Sequence, residues 1–254
     1  VYSWPTVSPC AVDQQIENKG YESPTFVEDK LINVSGFDAL EYLLFYAGAD
    51  NACPSGAAIN RDKLWEKIDT AELKRRRADY ALVVAKGLAK TASALAAAWQ
   101  VDKGNFANEL ATAGKGGKVY ASDVDALDAL FAALFYLDVR VKDLKVGVPA
   151  GLHDDCKAER CPESRESPWA NHSKENVIAN LEAALQLFRG GPGAAEGKPG
   201  FDDLLVGSKA GSVAKQVDAD LVAAIAQAKA LSGSFEDVLG SEPKKLEELH
   251  AAIK

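Results

Sequence analysis

Two carboxylates raise the first chemical question. Asp38 and Glu41 lie three residues apart in NVSGFDALEYLLFYAG, Asn33 to Gly48, one of the most apolar stretches of the chain. Three residues of helix is nearly one turn, so both side chains leave the same face with their Cβ atoms roughly 5 to 6 Å apart, and like charges at that spacing repel. Paired acids serve cation ligation and acid–base chemistry. Glycosidase acids flank a scissile bond, whereas these two share a helix face, so glycoside hydrolysis is disfavoured. A solvated rim is the simpler alternative: Leu40, Leu43, Leu44 and Phe45 supply a stripe for burial, Ser35 stands where an N-cap would, and acids in a first turn oppose the positive end of the helix dipole.

Four cysteines form the second constellation. The spacing of CKAERC, Cys156 to Cys161, with His153 and His172 nearby, resembles half a metal site, but a zinc centre needs tetrahedral convergence while a small disulfide loop needs only local geometry. The expected bridges are Cys156 with Cys161 and, by elimination, Cys10 with Cys53. An even set of paired cysteines places the chain in an oxidising compartment. His153 reads as an exposed loop residue, and neither it, His172 nor His250 sits in a context that suggests nucleophilic catalysis; no nucleophile elbow occurs.

The elements that must position these groups are helical. Among 254 residues, 47% are hydrophobic and 26% charged, an ordinary globular composition. The net charge of -8 argues against nonspecific binding to nucleic acid or an acidic membrane surface. The one basic run, LKRRRADY at Leu73 to Tyr80, reads as a solvated helix face. No stretch reaches the roughly 18 uncharged apolar residues of a membrane span. Methionine is absent, even at position 1, so the expectation is an exported chain whose leader has been removed.

No run alternates with a two-residue period, and the pattern is all-α. Asp69 with Glu72 opens a long helix through Leu73, Tyr80, Val84, Leu88, Leu95 and Trp99. A second, after Ser122, steps through Leu127, Leu130, Leu134, Leu137, Val141 and Leu144 until Gly147 and Pro149 end it. Ser173 caps a stripe of Val177, Leu181, Leu185 and Phe188 that stops at RGGPG, and Ser212 precedes Val217, Leu221 and Ile225. SEPKKLEELHAAIK starts a last helix at Pro243 that runs to Lys254 in register. The glycine-rich GKGGK, Gly114 to Lys118, is the expected linker, giving a bundle over 1–118 and another over 119–254.

In this order along the chain, SWP at Ser3 to Pro5, VDQQ at Val12 to Gln15, GFDALE at Gly36 to Glu41, KDLKVGVPAG at Lys142 to Gly151 and ESPW at Glu166 to Trp169 resemble the imelysin-like proteins, the M75 peptidase family, whose signature is G-x-H-x-x-E on a helix. The resemblance implies two antiparallel helical bundles packed against each other, with a site between them at the motif. It implies a periplasmic or outer-membrane-anchored location and an association with bacterial iron uptake, other envelope iron-uptake proteins being the implied partners. Members have a helix pair before the Trp-Pro segment, so the first bundle here is expected to be incomplete at its N-terminus. The motif histidine is Asp38 in this chain.

That replacement weakens a zinc-peptidase reading, because zinc favours nitrogen and sulfur donors and H-E-x-x-H is absent. Oxygen ligation suits ferric iron, calcium or manganese. The expectation is therefore a metal- or small-ligand-binding envelope protein using Asp38 and Glu41, with Asp13, Gln14, Glu166 and Ser167 as second-tier contributors from loop-like segments. A metal-dependent peptidase and a partner-binding structural module stand as the alternatives.

Overall fold

The computed structural model describes residues 2, 4–191 and 199–254; Ser3 of the SWP motif and Pro192 and Gly193 of the RGGPG stop lie outside them. The described residues contain helices and no strand, as the periodicity requires. The chain divides into two units, Val1–Ser122 and Asp123–Lys254.

The first unit gathers short helices around one long one. They are α1 (Pro9–Asn18), α2 (Phe26–Asp29), α3 (Ile32–Ser35), α4 (Phe37–Phe45), α5 (Ala58–Arg61), α6 (Thr70–Trp99) and α7 (Phe106–Ala111). Asp69 starts α6 as its pattern predicts, accepting the backbone N–H groups of Ala71 and Glu72 at 2.9 Å each. Tyr80 anchors the core: its ring stacks on Tyr21 at 5.0 Å, meets Phe26 edge-on at 5.3 Å, and its hydroxyl donates to the Val34 carbonyl at 2.5 Å. Leu73, Val84 and Leu88 continue that buried stripe, but Leu95 and Trp99 are exposed. Trp99 meets the edge of Phe106 at 5.2 Å. By length and composition α6 is the one helix among the described residues apolar enough to cross a membrane, a test that core helices also pass.

Helix α4 departs from its expected orientation. Leu43 is buried and Leu40 partly so, but Leu44 and Phe45 are 59% and 56% exposed, and Phe37 is exposed as well. The buried face is instead Asp38, Ala39, Tyr42 and Leu43. Hydrophobicity alone places the stripe one residue too far round, because it ignores the polar partners that draw Asp38 and Tyr42 inward. Ser35 does not cap α4 either: Gly36 holds the cap position, while the Ser35 hydroxyl donates back to Leu31 within α3.

The second unit holds α8 (Asp123–Ala132), a π-helix (Leu137–Gly147), α9 (Val148–Ala150), α10 (Ser173–Phe188), α11 (Phe201–Gly207), α12 (Gly211–Ala230), α13 (Phe235–Ser241) and α14 (Pro243–Ile253). Its core joins Val141 and Val146 to Val177 and Leu181 of α10, Ala224 and Ala228 of α12, Phe235 and Val238 of α13, and Leu246 and Leu249 of α14. The continuous helix expected from Ser122 to Leu144 is broken by turns after Ala132 and resumes as the π-helix. Pro149 lies inside the short helix α9, which Gly151 ends in the left-handed conformation at φ 77°. Ser173 is the first residue of α10 rather than its cap, and its hydroxyl donates to the Glu166 carbonyl.

Candidate functional site

The short helix α4 carries the motif, and the two acids on it have different surroundings. Asp38 is buried and accepts the Trp4 backbone N–H through Oδ2 at 3.1 Å, which ties the Trp-Pro segment to the motif helix. Glu41, three residues on, is half-buried. Within the first unit, then, Asp38 is turned inward and Glu41 stands at the margin.

One turn beyond Asp38, Tyr42 reaches into a buried polar cluster. Its hydroxyl donates to the Asp13 carboxylate, at 3.0 Å to Oδ2 and 3.2 Å to Oδ1, and the Ala52 backbone N–H donates to Oδ2 at 2.8 Å. Asp13 is wholly inaccessible to solvent. Burial pushes its carboxyl up to about 6, against the lowering effect of the Ala52 and Tyr42 hydrogen bonds and of the Arg77 charge. The Tyr42 hydroxyl is raised too, by burial first and then by the Asp13 charge. Asp13 and Gln14 lie on α1, not in the loop-like segment expected of them. The Cys10–Cys53 disulfide joins α1 to the loop that supplies Ala52, so the bridge and the hydrogen bond fasten the same two segments.

Arg77 completes this cluster and breaks the expectation that its basic run is a solvated face. Lys74 and Arg75 are exposed, but Arg77 is buried, its Nη1 donating to the carbonyls of Tyr46 at 3.2 Å and Gly48 at 2.7 Å. Its guanidinium lies 5.3 Å from the Tyr46 ring centre. The turn that ends α4 is thus held by an arginine from α6. Position i+4 before Ala81 on the Leu73–Tyr80–Val84 side was the available signal, since a helix stripe makes no exception for a cation that can reach carbonyls.

The ESPW segment sits in the second unit with a different chemistry. The Glu166 carboxylate is paired with Lys145 of the π-helix, Nζ standing 3.0 Å from Oε1 and 2.9 Å from Oε2, and Lys145 also donates to Asn180 Oδ1 at 2.7 Å. Both charged side chains are about as buried as core leucines, at 3% and 5% exposure. Removing two charges from water is costly, and the third contact from Asn180 supplies part of what hydration gave. Ser167 accepts from Asn176 at 3.1 Å and has a positive φ of 53°. Neither Lys145 nor Asn180 was singled out in the sequence, because a lysine in KDLK and an asparagine mid-helix look like surface residues.

Both disulfides expected from the cysteine spacing form, Cys10–Cys53 and Cys156–Cys161, with no free cysteine among the described residues. Two such bridges fit an extracytoplasmic protein. The family model for imelysin, the M75 peptidases, matches residues 1–254. The chain belongs to the imelysin family. No functionally curated protein and no solved structure matches it. For an imelysin, the donor set bears directly on which metal the residues suit. Among the described residues, no group of three or more His, Cys, Asp or Glu side chains is arranged to hold a metal ion. Those residues thus offer no three-ligand donor set of the kind a catalytic zinc takes.

Proposed function

We propose that this imelysin-family chain is a periplasmic or outer-membrane-anchored binding protein for a hard metal cation, with iron uptake as its setting and Asp38 and Glu41 as its carboxylate ligands. One observation carries the reading: on α4 an aspartate is buried while Phe37, Leu44 and Phe45 are exposed, the reverse of what residue hydrophobicity dictates. Holding Asp38 inward with the Trp4 N–H and placing Glu41 beside it concentrates negative charge at one edge of an apolar surface. A cation there offsets the repulsion between the two acids. With only two protein carboxylates, water fills its remaining positions, and exchange is rapid.

Titration calorimetry with calcium, manganese and ferric nitrilotriacetate, on the native chain and on Asp38→Asn/Glu41→Gln, tests this. Affinity for at least one cation is expected to fall roughly tenfold or more in the variant. Equal affinity in both removes the two acids from the role. A partner-binding module is the second reading, supported by the exposed Leu31, Phe37, Leu44 and Phe45 in and beside α4. It is favoured if no cation binds either protein.

A further inference from the structure

In the second unit, α14 closes over the π-helix at one imidazole. His250 of α14 places Nε2 3.6 Å from Asp143 Oδ1, and that nitrogen is sealed from solvent without a hydrogen bond. The same Asp143 oxygen already takes the Lys142 ammonium at 2.6 Å, and Lys142 is itself buried with Asp138 as its second partner at 3.0 Å. The ring lies against the backbone at Gly147, where an added Cβ would stand 3.2 Å from Nε2. One turn earlier on the same face of α14, Leu246 is fully buried in the core, as is Leu249 next to His250. The imidazole thus sits at the edge of the contact that seats α14.

We infer that His250 is a proton-operated release for α14: on acidification its imidazolium unseats the helix from the π-helix. The charged groups acting on the ring come from the π-helix, Lys142 and Asp143, and from the segment after α9, where His153 stands 3.6 Å from Asp155. Helix α9 is Val-Pro-Ala and brings no charge, and α12 and α13 meet α14 in the apolar core. An imidazolium at this place finds the Asp143 carboxylate already paired with Lys142, and a second cation beside that lysine is poorly hydrated. Burial and Lys142 accordingly hold His250 below its ordinary 6.5, and Asp143 opposes them with less effect. Because the seated state disfavours the proton, seating is complete above the ordinary value and weakens as pH falls below it, until the seated imidazole itself titrates.

The π-helix that receives α14 also carries Lys145, so release of α14 frees one face of the element that grips Glu166. Hydrogen exchange of the α14 amides, corrected for the chemical exchange rate and followed from about pH 7.5 to about pH 5, reads the release. Opening is expected to increase by up to roughly tenfold per pH unit below the ordinary imidazole value, the slope for one proton, while α10 stays unchanged. His250→Gln is expected to abolish the dependence and His153→Gln to leave it in place. An α14 that opens equally at both ends of the range, or a dependence that survives His250→Gln, overturns the inference. Should His250→Gln fail to fold, Lys142→Met decides: with Lys142 gone and Asp143 free for the imidazolium, the seated value rises toward the ordinary one and the opening gained on acidification shrinks, and an undiminished gain overturns the inference.

Discussion

Asp13 shows what a single buried acid does to the stability of the first unit. Its carboxyl titrates near 6 when folded, against 3.8 in its ordinary setting. The folded state therefore binds more protons between these values, so the contribution of Asp13 to stability is greatest below the lower one and is lost as pH rises through the upper one. The loss is on the order of 3 kcal/mol at most. Asp13→Asn keeps an acceptor for both Tyr42 and the Ala52 N–H, and no longer requires a buried charge. Urea unfolding followed by Trp65 fluorescence is expected to show the variant at least as stable as the native chain at pH 7, with a flatter pH profile. A variant less stable by more than about 2 kcal/mol at pH 7 would mean that the ionised form is the favoured one. The sequence marks Asp13 through the VDQQ motif but does not mark its burial. Its burial is decided by Tyr42, Ala52 and Arg77, which lie 29, 39 and 64 residues away and have no local signature.

At the level of elements, apolar period guided well along α10, α14 and the buried part of α6, and start signals held at α6 and α14 but not at α10, where Ser173 is already helical. They failed where a polar group or a different winding decided the outcome. The stripe read after Ser122 uses steps of three and four and includes Leu144, whereas Val141 and Val146, five apart, are the buried pair. Leu137, Val141, Val146 and Ala150 meet the core at steps of four, five and four, the spacing of a π-helix whose hydrogen bonds run i to i+5. Close packing of α2 on α6 gives a second element-level test. A Cβ at Gly87 would lie 2.5 Å from Val27 Cγ1, and valine has little freedom to move aside. Gly87→Ala alone is expected to destabilise by about 1 to 2 kcal/mol, the overpacking cost exceeding the gain in helix propensity. In a Val27→Ala background, where the Cβ of residue 27 at 3.1 Å is what remains of that contact, the same change is expected to cost at least about 1 kcal/mol less. A double-mutant cycle by chemical denaturation that shows the same cost in both backgrounds would place the tight contact elsewhere.

For the whole molecule, the two disulfides are placed unequally. Cys10–Cys53 spans 43 residues of the first unit, while Cys156–Cys161 spans 5 in the second. In the loop-closure picture the long bridge is worth about 4 kcal/mol and the short one about 2 kcal/mol. Replacing both cysteines of the long bridge by serine is expected to lower the unfolding midpoint of the first unit well beyond what the same change at the short bridge does to the second. Trp65 reports on the first unit and Trp169 on the second, so single-tryptophan fluorescence separates the two transitions; equal shifts would deny the long loop its larger share. Helical class, both cysteine pairings and family membership were all legible in the sequence, since each rests on local spacing or on ordered motifs. The inward turn of Asp38, the Lys145–Glu166 pair and the burial of Arg77 were not, because each depends on contacts between distant segments.

The π-helix has one more consequence. From Leu137 to Ala150 the chain makes three turns in 13 steps, where ordinary α winding would need about 11. Roughly two surplus residues are absorbed without a bulging loop, and the bookkeeping of faces downstream depends on them. Shortening the segment by one residue would carry the Lys145 side chain roughly 80° round the axis, off Glu166 and toward another neighbour. Length here is as much a part of the design as side-chain identity, so this stretch tolerates exchange of residues more readily than a change in their number.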